Sequence, residues 1–101
     1  PAMADNLDRN CEQDWPIARL ATQAGVSRYH LIRMFRQHTG LTPHAYQLDC
    51  RINKARLMLR EGMPLADLAV QLGFSDQSHF QRTFRERVSV TPGDYQRKLR
   101  C

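Results

Sequence analysis

Residues 42–62, TPHAYQLDCRINKARLMLREG, place Leu48, Ile52, Ala55 and Leu59 at steps of four, three and four, which keeps one face of an α-helix buried. Thr42 is a good N-cap, Pro43 suits the first helical position, and Gly62 followed by Pro64 is a stop signal. The spacing predicts a helix over residues 43–60, about 27 Å long at 1.5 Å per residue. Such a rod is a spacer, and the sequence on either side says what it separates.

Upstream lies PIARLATQAGVS (16–27) and downstream PLADLAVQLGFS (64–75), with seven identities in twelve positions. One extra residue, Asp76, follows the second copy. Beyond it, RYHLIRMFRQHTGLTPHAYQ (28–47) aligns with QSHFQRTFRERVSVTPGDYQ (77–96), with eight identities in twenty. Chance similarity between helical stretches rarely keeps Pro, Gly, Ser, His, Arg, Phe-Arg, Thr-Pro and Tyr-Gln in register. The chain is a tandem duplication. Helix and turn signals run throughout with no period-two strand, so the fold class is all-α.

Within the first copy, Pro16 opens a helix that carries Ile17, Leu20, Ala21 and Ala24 on one face, and Gly25 ends it in the left-handed conformation of a sharp turn. Ser27 can cap the next helix, in which Leu31, Met34 and Phe35 form the predicted buried stripe and Gly40 closes it. Ala21 stands four residues before Gly25 and Leu31 six after it. These are the helix-turn-helix constraints: a small residue where the helices touch, a glycine in the turn, and an apolar residue where the second helix packs. Ala69, Gly73 and Phe80 fill the same places in the second copy, with a longer turn. Leu7 and Cys11 allow a short helix within residues 4–14. The expected organisation is an N-terminal segment (1–14), a first helix-turn-helix (15–41), the linker helix (42–62), and a second helix-turn-helix with a C-terminal helix (63–101).

With Leu31, Met34 and Phe35 facing in, the opposite face of the first copy's second helix holds Tyr29, Ile32, Arg33 and Arg36. The second copy presents Ser78, Gln81, Arg82 and Arg85 in the same four slots. Arginine pairs bidentately with guanine and glutamine with adenine, while Ile and Tyr can touch thymine methyls or sugars. Arg28 and Gln77 occupy the first turns. Other readings stand beside these: Ile32 as a buried residue, Arg36 and Arg85 as phosphate contacts or solvated charges, and His30 and His79 as phosphate contacts or as packing or turn-stabilising histidines. Thr42-Pro43 and Thr91-Pro92 each begin a helix after a reader, so their N-terminal N–H groups can hold phosphates or serve as ordinary caps.

Charge agrees with an acidic partner. Thirteen of the 15 basic residues are Arg, and 14 of the 15 lie beyond residue 16, against six acids there, which makes residues 17–101 +8. A solvated basic surface without a partner is the alternative on charge alone. Cys11, Cys50 and Cys101 are odd in number and widely spaced, as expected for reduced thiols in a cytoplasmic protein. No transmembrane run or signal peptide appears, and Pro1-Ala2-Met3 looks like a remnant ahead of an excised domain. At 101 residues the chain is too short for a large catalytic cleft. His30, His38, His44 and His79 and the cysteines lack zinc-ligand spacing, and no glycine-rich phosphate loop occurs. The reading is non-enzymatic, with no cofactor.

Over about residues 15–97 the chain resembles the AraC/XylS type of bacterial transcription regulators. The resemblance is carried by GFSDQSHFQRTFRERVSVTPGDYQ (73–96) and by RINKARLML (51–59). It implies two homeodomain-like helix-turn-helix subdomains joined by one long helix, about seven helices in all, with recognition helices entering successive major-groove segments of double-stranded DNA. The readers implied are Arg28, Tyr29, Ile32 and Arg33 in the first helix and Gln77, Ser78, Gln81 and Arg82 in the second. It also implies RNA polymerase as a partner, a nucleoid-associated cytoplasmic location, and a separate effector or dimerisation domain outside this sequence. Ser89 departs from the family's usual glycine, so the second reader is expected to end differently from the first. The rivals are a helical protein-interaction module with a basic face, and RNA binding, which is disfavoured because a helix cannot enter the deep A-form groove.

Overall fold

The computed structural model describes residues 11–14 and 16–99, and among these described residues it has six α-helices. They are α1 (Ile17–Ala24), α2 (Arg28–Thr39), α3 (Pro43–Arg60), α4 (Leu65–Gln71), α5 (Gln77–Val88) and α6 (Pro92–Leu99). Among the described residues there is no strand. The helix expected within residues 4–14 falls mostly outside the described residues, and residues 11–13 form a turn and a bend instead.

The spacer has the predicted ends. Thr42 Oγ1 accepts from the Ala45 N–H at 3.2 Å, and Pro43 sits in the first turn. Ile52, Ala55 and Leu59 are buried, but Leu48 is only half-buried, and the polar Gln47 and Arg51 are buried in its place. The covered face of α3 is therefore wider than its apolar stripe.

The duplication is visible as repeated contacts. Phe35 meets Tyr46 edge-on at 5.2 Å, and Phe84 meets Tyr95 in the same way at 5.5 Å. After each first helix the turn closes identically, Val26 N–H to Ala21 O at 3.0 Å and Phe74 N–H to Ala69 O at 3.1 Å. The cap of α6, Asp94 N–H to Thr91 Oγ1 at 3.1 Å, matches that of α3. Thus α6 is the second copy's counterpart of the start of the spacer.

Two predicted core positions are exposed. Ala24 lies in the last turn of α1, one residue before Gly25 and beyond the buried pair Leu20 and Ala21. Met34 is 38% exposed, whereas its counterpart Thr83 is buried. The reason is unequal packing: α2 leans mainly on α1 and α3, while α5 is covered by α3, α4 and α6. The second half accordingly has the larger core, in which Ile52, Ala55 and Leu59 pack with Leu68, Leu72, Phe74, Phe80 and Phe84. Leu20, Ala21 and Leu31 form the smaller cluster of the first.

Ser89 adopts φ +73°, alone among the described non-glycine residues in having positive φ. Its N–H reaches Arg85 O at 2.9 Å, just as the Gly40 N–H reaches Arg36 O at 2.8 Å. The second reader therefore ends like the first, contrary to expectation, and the serine carries the strain that glycine avoids. Ser89→Gly is expected to raise stability by about 1 kcal/mol, read as a higher urea midpoint with an unchanged slope. Ser89→Ala, which keeps the Cβ, should give no such gain.

Candidate nucleic-acid interface

Ser27 and Asp76 set where the two outward-facing helices begin. Ser27 Oγ accepts from the His30 N–H at 3.1 Å. In the second copy the extra residue is itself the cap, with Asp76 Oδ1 accepting from the His79 N–H at 2.7 Å. Ser75, aligned with Ser27, instead meets His79 Nδ1 at 3.3 Å. Adding Phe74 edge-on at 5.2 Å makes His79 a turn-stabilising histidine. The cap at the positive end of α5 is thus a carboxyl side chain, where α2 has the hydroxyl of Ser27.

On α2, Arg28, Tyr29, Arg33 and Arg36 are exposed, Tyr29 by 75%, and Ile32 is half-buried. Tyr29, Ile32, Arg33 and Arg36 line one shallow hollow together with Gln37, so the four slots share a surface. On α5, Gln77, Ser78, Arg82 and Arg85 are exposed and Gln81 is half-buried. Ion pairs among the described residues join Lys54 to Glu12, Arg87 to Asp49 and Arg97 to Asp94. None of them engages Arg28, Arg33, Arg36, Arg82 or Arg85. Lys54 and Arg87, by contrast, are committed to carboxylates within the fold.

Thr42 and Thr91 both cap their helices through their side-chain oxygens. Between the two halves opens a cleft lined by Asp14, Pro16, His44, Gln47, Arg51, Gly73, Ser75 and His79. Asp14 lines it at the end of the segment 11–14, and the polar side chains that anchor this segment escaped the sequence reading. Gln47 Nε2 donates to Cys11 O at 3.2 Å and to Gln13 O. Its counterpart Gln96 donates to Leu59 O at 3.2 Å and Met63 O at 3.1 Å. The signal was there in the Tyr-Gln that both copies keep. Nearby, the hydrogen bond between Lys54 and Glu12 holds the carboxyl below its usual range and the ammonium above its own.

Residues 20–98 match a family described as a helix-turn-helix domain. The HTH-type transcriptional regulator MtrA of Neisseria gonorrhoeae is 32% identical over 88 residues, which is 86% of this chain and 29% of that protein. The regulatory protein SoxS of Escherichia coli is 35% identical over 94 residues, 92% of this chain and 88% of SoxS. A crystal structure of a transcriptional regulator from Chromobacterium violaceum, described as containing an AraC-type DNA-binding domain, superposes with a TM-score of 0.82 at 30% identity. That match covers 94% of this chain and 86% of the other. The chain thus spans about three-tenths of MtrA and nearly all of SoxS.

Proposed function

Because the chain belongs to the AraC/XylS-type family of helix-turn-helix regulators, we propose that it binds double-stranded DNA sequence-specifically, with α2 and α5 in two successive major-groove segments on one face of the duplex. The observation that carries this reading is the pair of equivalent, exposed arginines, Arg33 and Arg82, one in each copy, neither in an ion pair among the described residues. Arg28, Tyr29 and Ile32 on α2, and Gln77, Ser78 and Gln81 on α5, complete the base-reading sets. Arg36 and Arg85, a turn further along, take phosphates. Since the two sets differ, one chain recognises an asymmetric site, with segments about 34 Å apart. The division into two reading units, residues 15–41 and 63–101, on either side of the linker helix belongs to the same proposal.

The chain's role is binding, without catalysis, in a bacterial regulator working in the cytoplasm at the nucleoid. Among the described residues no helix is long and apolar enough to cross a membrane. RNA polymerase and a separate effector or dimerisation domain are proposed as partners on family grounds.

Competition tests the proposal against a basic surface that docks any polyanion. Binding to a selected duplex should survive heparin and random duplex at concentrations that abolish weak binding, and should weaken steeply with salt. Equal displacement by heparin, by random duplex and by unlabelled selected duplex would favour the protein-interaction module. The spacer of about 27 Å is not itself the reader separation, since the readers sit beside its ends, but a rigid spacing shorter than one turn of about 34 Å forces the duplex to bend towards the protein, at a cost of about 1 to 6 kcal/mol. Circularly permuted fragments should show position-dependent mobility; uniform mobility with both segments protected would refute bending.

A further inference from the structure

Arg51 sits where three pieces of chain meet. Residues 11–14 lead into α1 and so belong covalently to the first half. They lie along α3, held there by Gln47 and by the 2.9 Å ion pair between Lys54 and Glu12. From the second half, Gly73 approaches so closely that a Cβ on it would overlap the Glu12 carbonyl. Arg51, only 5% exposed, fills the space between them. Its Nε donates to Cys11 O, its Nη2 donates to Gln13 O at 3.2 Å, and its guanidinium lies over the Phe74 ring, 5.5 Å from the centroid.

The glutamine braces act within each copy, but this arrangement crosses between the halves. Phe74 in turn contacts His79 and Phe80 at ring separations of 5.2 and 5.3 Å, both in the first turn of α5. The principal helix packings run within each half or through α3. Arg51 therefore ties the entry segment of the first half to the root of the second outward-facing helix. Burial lowers its pKa from the ordinary value, and such a desolvated cation is a costly way to gain stability alone.

We infer that Arg51 is a positioning residue for two-segment DNA reading: by locking residues 11–14 against Gly73 and Phe74 it fixes the separation and angle of α2 and α5, and so selects the spacing between the two DNA segments. This rests on the DNA-binding reading above. Two readers held at a fixed geometry bind as one unit, and loosening their link lowers the effective concentration of the second at its segment.

Arg51→Met and Gly73→Ala test the lock in the full chain. Gly25→Ala is the control, since Gly25 has a similar φ of +71° against +83° for Gly73, yet nothing lies within 4 Å of its added Cβ. The probes are a duplex selected by the unaltered chain, the same duplex with one segment scrambled, and the same duplex with one or two base pairs inserted between segments. Arg51→Met and Gly73→Ala should lower affinity for the intact duplex by about tenfold, leave the half-scrambled duplex within about twofold, and shrink the penalty for insertion. Gly25→Ala should leave the insertion penalty unchanged. An undiminished insertion penalty in both altered chains, or Gly73→Ala behaving like Gly25→Ala, would overturn the inference.

A measurement without DNA separates this from the binding reading. Residual dipolar couplings from α1–α2 and from α4–α5 should fit one alignment tensor in the unaltered chain and two different ones in Gly73→Ala. One shared tensor in the variant overturns the lock. Divergent tensors with no selectable duplex would sink the DNA reading and leave the lock standing.

Discussion

Phe80→Ala is expected to destabilise the chain by about 3 to 5 kcal/mol, enough to leave the second half largely unfolded in a domain with marginal total stability. Phe80 is fully buried, with ring neighbours Phe74 at 5.3 Å and Phe84 at 5.9 Å, and Phe84 continues to Tyr95 at 5.5 Å. Truncation removes the middle of this aromatic row and leaves a cavity walled by α3, α4 and α5, which cannot close without moving α5. Urea unfolding monitored by circular dichroism measures the loss, and exchange of α5 amides should accelerate more than exchange of α2 amides. Leu31, Leu20 and Ala21 form their own cluster, so the first hairpin should keep more protection. A loss below about 1 kcal/mol would mean that the row is not what holds α5 in place.

The second large effect concerns recognition. Arg33→Ala and Arg82→Ala should each cost about 1 to 3 kcal/mol in affinity and relax preference at one base pair, in different segments of the site. Both side chains are exposed and engage no carboxylate among the described residues, so removing either should leave the fold unharmed and its partner reader intact. Arg36→Ala and Arg85→Ala should instead weaken binding evenly across sequences and reduce the salt slope by about one. Binding assays over a panel of single-base variants separate these outcomes. An even loss for Arg33→Ala or Arg82→Ala would make that arginine a phosphate contact.

Much of this architecture is legible in the sequence because its signals are local. Thr42, Pro43 and the 48, 52, 55, 59 periodicity specify α3 with its observed ends, Pro43–Arg60. The internal repeat supplies the second hairpin from the first, down to the matched Phe-Tyr pairs. What escaped depends on contacts between remote segments. Met34 fits a helical core stripe as well as Phe35 does, and only the lighter covering of α2 exposes it. Arg51 reads as one more surface charge on a basic chain, because its carbonyl partners at Cys11 and Gln13 lie 40 and 38 residues away. Ser89 shows a mixed case: the departure from glycine was visible, but that the backbone would keep the left-handed turn regardless was not. The slots on α2 and α5 were found from helical spacing alone, and their shared exposure is compatible with reading DNA without specifying which bases.

Selection of bound duplexes from a randomised pool tests the central claim most directly. The expected result is one asymmetric motif of two parts, centred about one helical turn, roughly 34 Å, apart, with Arg82→Ala degrading one part and Arg33→Ala the other. Recovery of no motif, or of a single short element insensitive to one of the two arginines, would contradict a domain that reads two groove segments at once.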